Sequence, residues 1–367
     1  MATILFALFI CFAIINIGYF LAFFSFSQAK PKAVTPTRKP VSVIICAKNE
    51  AENLKNFLPS ILEQDYPEFE IILINDASVD ETLDVIEKFQ SIDPRIKIVN
   101  VENNERFWAN KKYALTLGIK KARNEYLIFT DADCAPQSKN WLTNISASFS
   151  NDKKIVLGYG GYFKNKKSFI NKLIRFETLL TAIQYFSYAK LGNPYMGVGR
   201  NLAYTAKRFY EVNGFASHLK IRSGDDDLFV SEAATKQNIA ICDNPASITR
   251  SIPKPSFSTW IAQKRRHTSV AKYYKKKNQF LLGLFYSSRL FFWILLIALL
   301  VLQIHWEFVL LVLGFTWIIE AIVYFSAAKK LDEKDIAWVF PVLEPILLIL
   351  QLGIFFANLI SKPTHWK

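Results

Sequence analysis

The stretch YLIFTDADC, residues 126–134, is an apolar run closed by two acids one residue apart. Five residues rich in β-branched and aromatic types, ending in a polar cluster, read as a buried strand. Asp131 and Asp133 at its end can both reach one hard cation, and oxygen ligands of this kind suit Mg2+ or Mn2+ bridged to phosphates. Taken by itself a D-x-D is more often the polar turn that closes a strand. Upstream, the chain repeats one pattern. VSVIICA (41–47) reads as a strand, and Asn49 to Leu62 carries helical apolar spacing through Leu54, Phe57, Leu58 and Ile61. FEIILIND (69–76) is a second strand, and a second helix runs from Ser78 to Phe89 with SVDE as a capping box. RIKIVNV is a third strand, and Asn110 to Ala122 a third helix leading into the acidic strand. Strand and helix alternating at these intervals predict an α/β domain, a mainly parallel sheet with helices on both faces. Such sheets bind ligands at the carboxyl ends of their strands. Lys48-Asn49-Glu50, Asp76, Asp131 and Asp133 all fall there.

The rest of the chain points to a membrane. Thr3 to Phe26 is almost free of charge, and at ~1.5 Å per residue it is long enough to cross a ~30 Å hydrocarbon core. We expect a retained anchor at 1–27, a linker at 28–40, the sheet domain at 41–255, an amphipathic interface segment at 256–283 and three spans within 284–367. The three spans are read at Phe285 to Gln303, Phe308 to Ala328 and Ile336 to Leu359. Glu320 and Glu344 inside them are costly unless each meets a partner, which makes them candidates for helix contact or a lipid substrate. Basic residues flank the spans: Lys30, Lys32, Arg38 and Lys39 after the first, and Lys272, Lys275, Lys276, Lys277 and Arg289 before the second. By the positive-inside rule the central domain is cytoplasmic, giving a multi-pass protein of the cell inner membrane. The net charge of +14 collects beside apolar and aromatic segments, which favours anionic membrane lipids over nucleic acid as partner. Four isolated cysteines, without metal-ligand spacing, fit a reducing compartment.

In order along the chain, VSVIICAKNEAENL, ILINDASVDET, ANKKYALTLGIKKARNEYLIFTDADC and SGDDDLFV resemble the motifs of family 2 glycosyltransferases with a GT-A nucleotide-diphospho-sugar transferase fold. The resemblance runs from Val41 to about His267. It implies a hexosyltransferase-type enzyme with a divalent metal cofactor. Its donor would be a nucleotide-diphospho-sugar, a UDP-sugar in first place and a GDP-sugar in second, and its acceptor a hydroxyl of a lipid or glycan. Carried over by position, Ala47 and Glu50 border the nucleoside, Asp76 meets the base and Lys112 sits near the nucleotide. Asp131 faces ribose and metal, and Asp133 ligates the metal. Asp80, like Asp76, has helix capping as its alternative role.

The acceptor side is carried by Gly224-Asp225-Asp226-Asp227. An inverting transfer needs a carboxylate to take the acceptor proton, and the family's order selects Asp226 as the base, with Asp225 the runner-up and Asp227 an N-terminal helix charge. Gly197, Gly199, Arg200 and Asn201 are candidate acceptor or donor contacts. Trp260 to His267 resembles the Q-x-x-R-W motif of membrane-embedded members. There Gln263 and Arg266 share a helical face that can meet the acceptor end and the diphosphate, and His267 replaces the aromatic that processive synthases use to hold a sugar chain. A processive polysaccharide synthase and an inactive membrane scaffold are the alternatives. A sugar nucleotidyltransferase would need a Gly-rich basic loop where this chain has AKNEAEN. The segment Phe163 to Leu191 is amphipathic and fits either the membrane interface or the sheet surface.

Overall fold

The computed structural model describes residues 1–29, 39–102, 110–221 and 223–361. Most of the expected linker, with Lys30, Lys32 and Arg38, lies outside the described residues. The chain divides into two compact units. One contains residues 39–164 and 192–254, and the other 1–29, 165–191 and 255–361.

The first helix, α1 (Ala2–Ser27), belongs to the second unit. In the first unit the chain runs β1 (Val41–Ala47), α2 (Ala51–Leu62), β2 (Phe69–Asp76), α3 (Thr82–Ile92), β3 (Ile96–Val101), α4 (Asn110–Lys121), β4 (Tyr126–Asp131), β5 (Cys134–Pro136), α5 (Trp141–Ala147), β6 (Ile155–Leu157) and β7 (Gly160–Tyr162). After α6 (Phe169–Lys190) come β8 (Leu202–Thr205), α7 (Ala206–Glu211), α8 (Asp227–Ala233), β9 (Ile239–Ile241) and β10 (Thr249–Ser251). Seven strands form one sheet in the order β3-β2-β1-β4-β8-β6-β9. All pairings are parallel except those of β8, which runs against both β4 and β6. A small second sheet has the order β5-β10-β7.

Period-two alternation explains how β1 is covered on both faces. Val41, Val43, Ile45 and Ala47 enter a core with Leu54, Leu58 and Ile61 of α2 and with Trp141 and Ile145 of α5. On the other face, α4 lies close to Ile44 and Ile74. A Cβ on Gly118 would come within 2.3 Å of Ile74 Cδ1, so glycine is what lets this helix approach the sheet. The register puts Cys46 beside Asp131 and Ala47 beside Asn75, so the acidic ends of β2 and β4 emerge at one edge on either side of β1.

The start of α3 differs from expectation. SVDE does not cap a helix at Ser78: α3 begins at Thr82, whose N–H and hydroxyl donate to Asp80 Oδ1. Ser78 instead accepts from the Asn49 amide while Asn49 Oδ1 accepts from Val79 N–H, lacing together the turns after β1 and β2. Asn49 and Ala77 both take positive φ there, 55° and 49°, and these contacts hold the two strained turns in register.

The second unit contains α1, α6, α9 (Phe257–Thr268), α10 (Lys276–Val301), α11 (Trp306–Lys330), α12 (Lys334–Ala337) and α13 (Phe340–Ile360). Four of these, α1, α10, α11 and α13, are long and apolar enough to cross a membrane. The last expected span divides, because α12 is a separate turn of helix before α13. Residues 165–191, expected within the sheet domain, group with the membrane helices: Arg175 of α6 is fully buried against Glu333 (2.5 Å) and Asp335 (2.5 Å). Arg289 does not flank its span. It lies inside α10, where its guanidinium pairs with both Glu320 of α11 and Glu344 of α13, all three essentially inaccessible. The two membrane glutamates therefore meet a helix-borne partner.

Candidate active site

The site is built on the carboxyl edge of β2, β1 and β4. Asp76 ends β2 and is buried; burial pushes its carboxyl up, against the opposing pull of Lys48 and Lys111. Glu50 precedes α2, donates its amide to Thr82 Oγ1 at 2.8 Å and accepts from Asn53 Nδ2 at 2.5 Å. The Ala47 methyl is packed in the core.

Asp131 and Asp133 bring carboxylate oxygens within 4.8 Å of each other and of the Cys134 sulfur. Burial, then the neighbouring Asp131, raises the Asp133 carboxyl, with Arg200 opposing. A divalent cation would relieve that crowding of negative charge. The Cys134 thiol is pushed well up by burial and the adjacent acids, stays protonated and donates to Asp133 at 3.4 Å. The donor set is thus two hard oxygens, which fit Mg2+ or Mn2+ better than a thiolate-seeking metal.

The residue that joins the two halves of the site was missed in the sequence. Lys111 on α4 sets its ammonium 3.1 Å from Asp131 and 3.1 Å from Asp225. Burial works against its charge, but these two carboxylates outweigh it and raise its pKa well above the ordinary lysine value. The signal lay in helical spacing: Lys111, Leu115 and Gly118 stand at i, i+4 and i+7, the stripe that Gly118 marks as facing the sheet. Lys111 and Leu115 line a cleft with Ile44, Phe129, Asp131, Tyr204 and Asp225. Lys112, expected beside the nucleotide, turns elsewhere. It is buried, and its ammonium donates to the carbonyls of His218 (2.8 Å), Ile221 (2.9 Å) and Ser223 (2.9 Å).

The acidic triplet divides its work. Asp226 is the N-cap of α8: its Oδ1 accepts from Asp227 N–H and its Oδ2 from Gly199 N–H at 2.7 Å. Burial, with Asp227 and Asp225 beside it, pushes Asp226 well above the carboxylate range. Asp225 lines the cleft; burial would raise it, but the Lys111 ammonium overrides this and holds it below the usual value. The one-residue ambiguity therefore falls toward Asp225 as the carboxylate that faces the cleft. Arg200 sits over the Tyr162 ring at 4.2 Å, donates to Gly161 O and Ser251 Oγ, and acts electrostatically on Asp131 and Asp133. Asn201 is structural: wholly buried, it donates to the carbonyls of Tyr159 and Ser247 and accepts from Trp141 Nε1. Gly197 is a packing position, where a Cβ would meet Leu157, Leu202 and Val230 at 3.1 Å. Gln263, Arg266 and His267 lie on α9 in the membrane unit, where Trp260 is buried, Lys264 pairs with Glu177 at 2.5 Å, and Arg265 donates to Asn358 and Ser361.

A mainly parallel seven-stranded sheet with one reversed strand, carrying a D-x-D at the end of β4, defines a GT-A nucleotide-diphospho-sugar transferase domain. Residues 42–212 match the model of Glycosyl transferase family 2. Among curated relatives, the poly-beta-1,6-N-acetyl-D-glucosamine synthase of Staphylococcus epidermidis is 33% identical over 137 residues, 37% of this chain and 32% of that one. A Methanococcus voltae enzyme, the dolichyl N-acetyl-alpha-D-glucosaminyl phosphate 3-beta-D-2,3-diacetamido-2,3-dideoxy-beta-D-glucuronosyltransferase, is 32% identical over 164 residues, 41% of this chain and 49% of that one. The chain thus spans a third to a half of the length of these relatives. A solved structure of the mannosyltransferase PcManGT from Pyrobaculum calidifontis, in complex with GDP-Man and Mn2+, superposes with a TM-score of 0.59 at 20% identity, covering 89% of this chain and 98% of that one.

Proposed function

We propose that this protein is an inverting, metal-dependent glycosyltransferase that moves one sugar from a nucleotide-diphospho-sugar to a hydroxyl of a membrane-associated lipid or glycan. The observation that carries this reading is the single Lys111 ammonium held 3.1 Å from both Asp131 and Asp225. One carboxylate belongs to the donor side and the other to the acceptor side, and both open on one cleft. Asp76 and Glu50 would border the nucleoside, since a buried acid accepts from a base N–H or a ribose hydroxyl. Asp131 and Asp133 would hold Mg2+ or Mn2+, which when bound neutralises the diphosphate leaving group. Lys111 would turn from the acids to the diphosphate oxygens as the donor arrives. Asp225 would then take the acceptor's hydroxyl proton. That oxygen forms the new bond to the anomeric carbon on the face opposite the breaking carbon–oxygen bond, and the bonding pair leaves with the nucleoside diphosphate.

The UDP-sugar comes first and the GDP-sugar second; the GDP-Man complex of the structural relative supports testing both. A processive synthase is the second reading, supported by the similarity to a poly-N-acetylglucosamine synthase. His267 in place of the aromatic favours single addition. The cytoplasmic, inner-membrane location rests on Lys272, Lys275, Lys276 and Lys277, since Arg289 is spent inside the bundle.

The test is turnover of a panel of UDP- and GDP-sugars by detergent-purified protein with Mn2+ and a lipid extract as acceptor, with products sized by mass spectrometry. Asp225→Asn is expected to retain nucleotide binding and lose transfer by about 100-fold or more. Full activity in Asp225→Asn together with a dead, well-folded Asp226→Asn would return the base to Asp226.

A further inference from the structure

Adjacent lysines of α4 do different jobs. Lys111 faces the carboxylates of the cleft, whereas Lys112 faces backbone. An ammonium has three N–H donors, and all three of Lys112's are used, on the carbonyls of His218, Ile221 and Ser223 at 2.8–2.9 Å. These carbonyls come from a single short stretch whose last member lies two residues before Asp225. Carbonyl dipoles converging in a buried place repel one another unless a cation satisfies them. No neutral side chain brings three donors to one point.

The turn that follows is held at three further positions. Gly224 has φ 85°, a left-handed conformation that a side chain would strain. Asp226 ties α8 to the Gly199 amide at 2.7 Å. Asp225, between these two residues, reaches Lys111. Lys112 thus fastens the near side of the turn and Asp226 the far side, with Asp225 between them.

We propose that Lys112 is a positioning residue: it fastens the backbone at His218, Ile221 and Ser223 so that Asp225 is aimed at the acceptor, and it does not bind the nucleotide. The inference rests on Asp225 being the acceptor-side base. A side chain that acts only through another group lowers turnover without altering donor affinity, and its effect vanishes once that group is removed.

The experiment uses the full-length protein in detergent, as wild type and as Lys112→Met, Lys111→Met, Asp225→Asn and the Lys112→Met/Asp225→Asn double variant. Binding of UDP and of GDP with Mn2+ is measured by calorimetry. Turnover is followed as nucleoside diphosphate release from the sugar nucleotide that the wild type consumes fastest. Lys112→Met is expected to bind nucleotide within about threefold of wild type while turnover falls about 100-fold, and the double variant is expected to be no slower than Asp225→Asn. Amide exchange across 216–226 should quicken about tenfold or more in Lys112→Met, with 126–131 unchanged. Loss of nucleotide binding matching that of Lys111→Met, additive losses in the double variant, or unchanged exchange across 216–226 would each overturn the proposal. Should Lys112→Met not fold, Lys112→Gln, which keeps two donors, is expected to show the same split at smaller amplitude, and nucleotide loss in that variant overturns the proposal equally. Wild-type turnover in Asp225→Asn would instead strike the reading of the base, while leaving the exchange result to stand for the fastening itself.

Discussion

Lys111 is the residue on which the cleft turns, because the carboxylates of Asp131 and Asp225 share its charge. Replacing it by methionine keeps the stem and removes the ammonium. We expect Lys111→Met to weaken nucleotide binding about tenfold or more, and Asp133→Ala to abolish the Mn2+ dependence of that binding, both read by calorimetry with and without the metal. Nucleotide affinity in Asp133→Ala that still responds to Mn2+ would exclude Asp133 as a ligand. His218 offers a pH test of the neighbouring turn. Burial, then the Lys112 charge, lowers it to about 4 against the opposing pull of Glu232 and Asp225. Between about pH 6.5 and 4 the unfolded chain takes up a proton that the folded histidine refuses, so stability falls as pH drops through that window. His218→Gln should flatten that slope in denaturant titrations at pH 7, 6, 5 and 4; an unchanged slope would mean that His218 titrates normally. Of these residues, Asp131 and Asp133 were legible from their position behind an apolar strand. That Lys111 rather than Lys112, and Asp225 rather than Asp226, line the cleft was not, because neighbouring residues of identical type differ only in the direction the backbone gives them.

At the scale of elements, the mainly parallel sheet followed from alternation of strand and helix. What alternation could not show is that β8 runs against its neighbours, since a three- or four-residue strand carries no direction in its composition. The membrane helices add a second lesson. Arg289 looked like a flanking charge and Glu320 and Glu344 like isolated costs; together they join α10, α11 and α13. A buried ion cluster that loses its cation leaves carboxylates unpaired. Arg289→Leu is therefore expected to destabilise the bundle by about 3 kcal/mol or more, while Glu320→Gln, which leaves Arg289 one carboxylate, costs much less. Thermal unfolding in detergent checks this, and equal losses in the two variants would contradict it. The same reasoning covers Arg175, whose partners Glu333 and Asp335 draw α6 into the membrane unit.

For the whole molecule, the expected topology follows from four lysines in the six residues before and at the start of α10. With the sheet unit inside, a cysteine at Glu307 should react with an impermeant maleimide on intact cells, and one at Lys334 only after permeabilisation. The reverse pattern would invert the protein. Hydropathy and charge are properties of composition over a window of about 20 residues, so spans and orientation can be read along the chain. The alternation that identifies the parallel sheet and the order of acids behind its strands are likewise local, and on these the sequence alone determined the fold class and the placing of Asp131 and Asp133 at a strand end. The side of the cleft that faces Asp131 was decided only by tertiary structure. It depends on three carbonyls meeting Lys112, on Gly199 meeting Asp226, and on Lys111 standing between Asp131 and Asp225, contacts between residues 20 to 114 positions apart whose convergence no local pattern encodes.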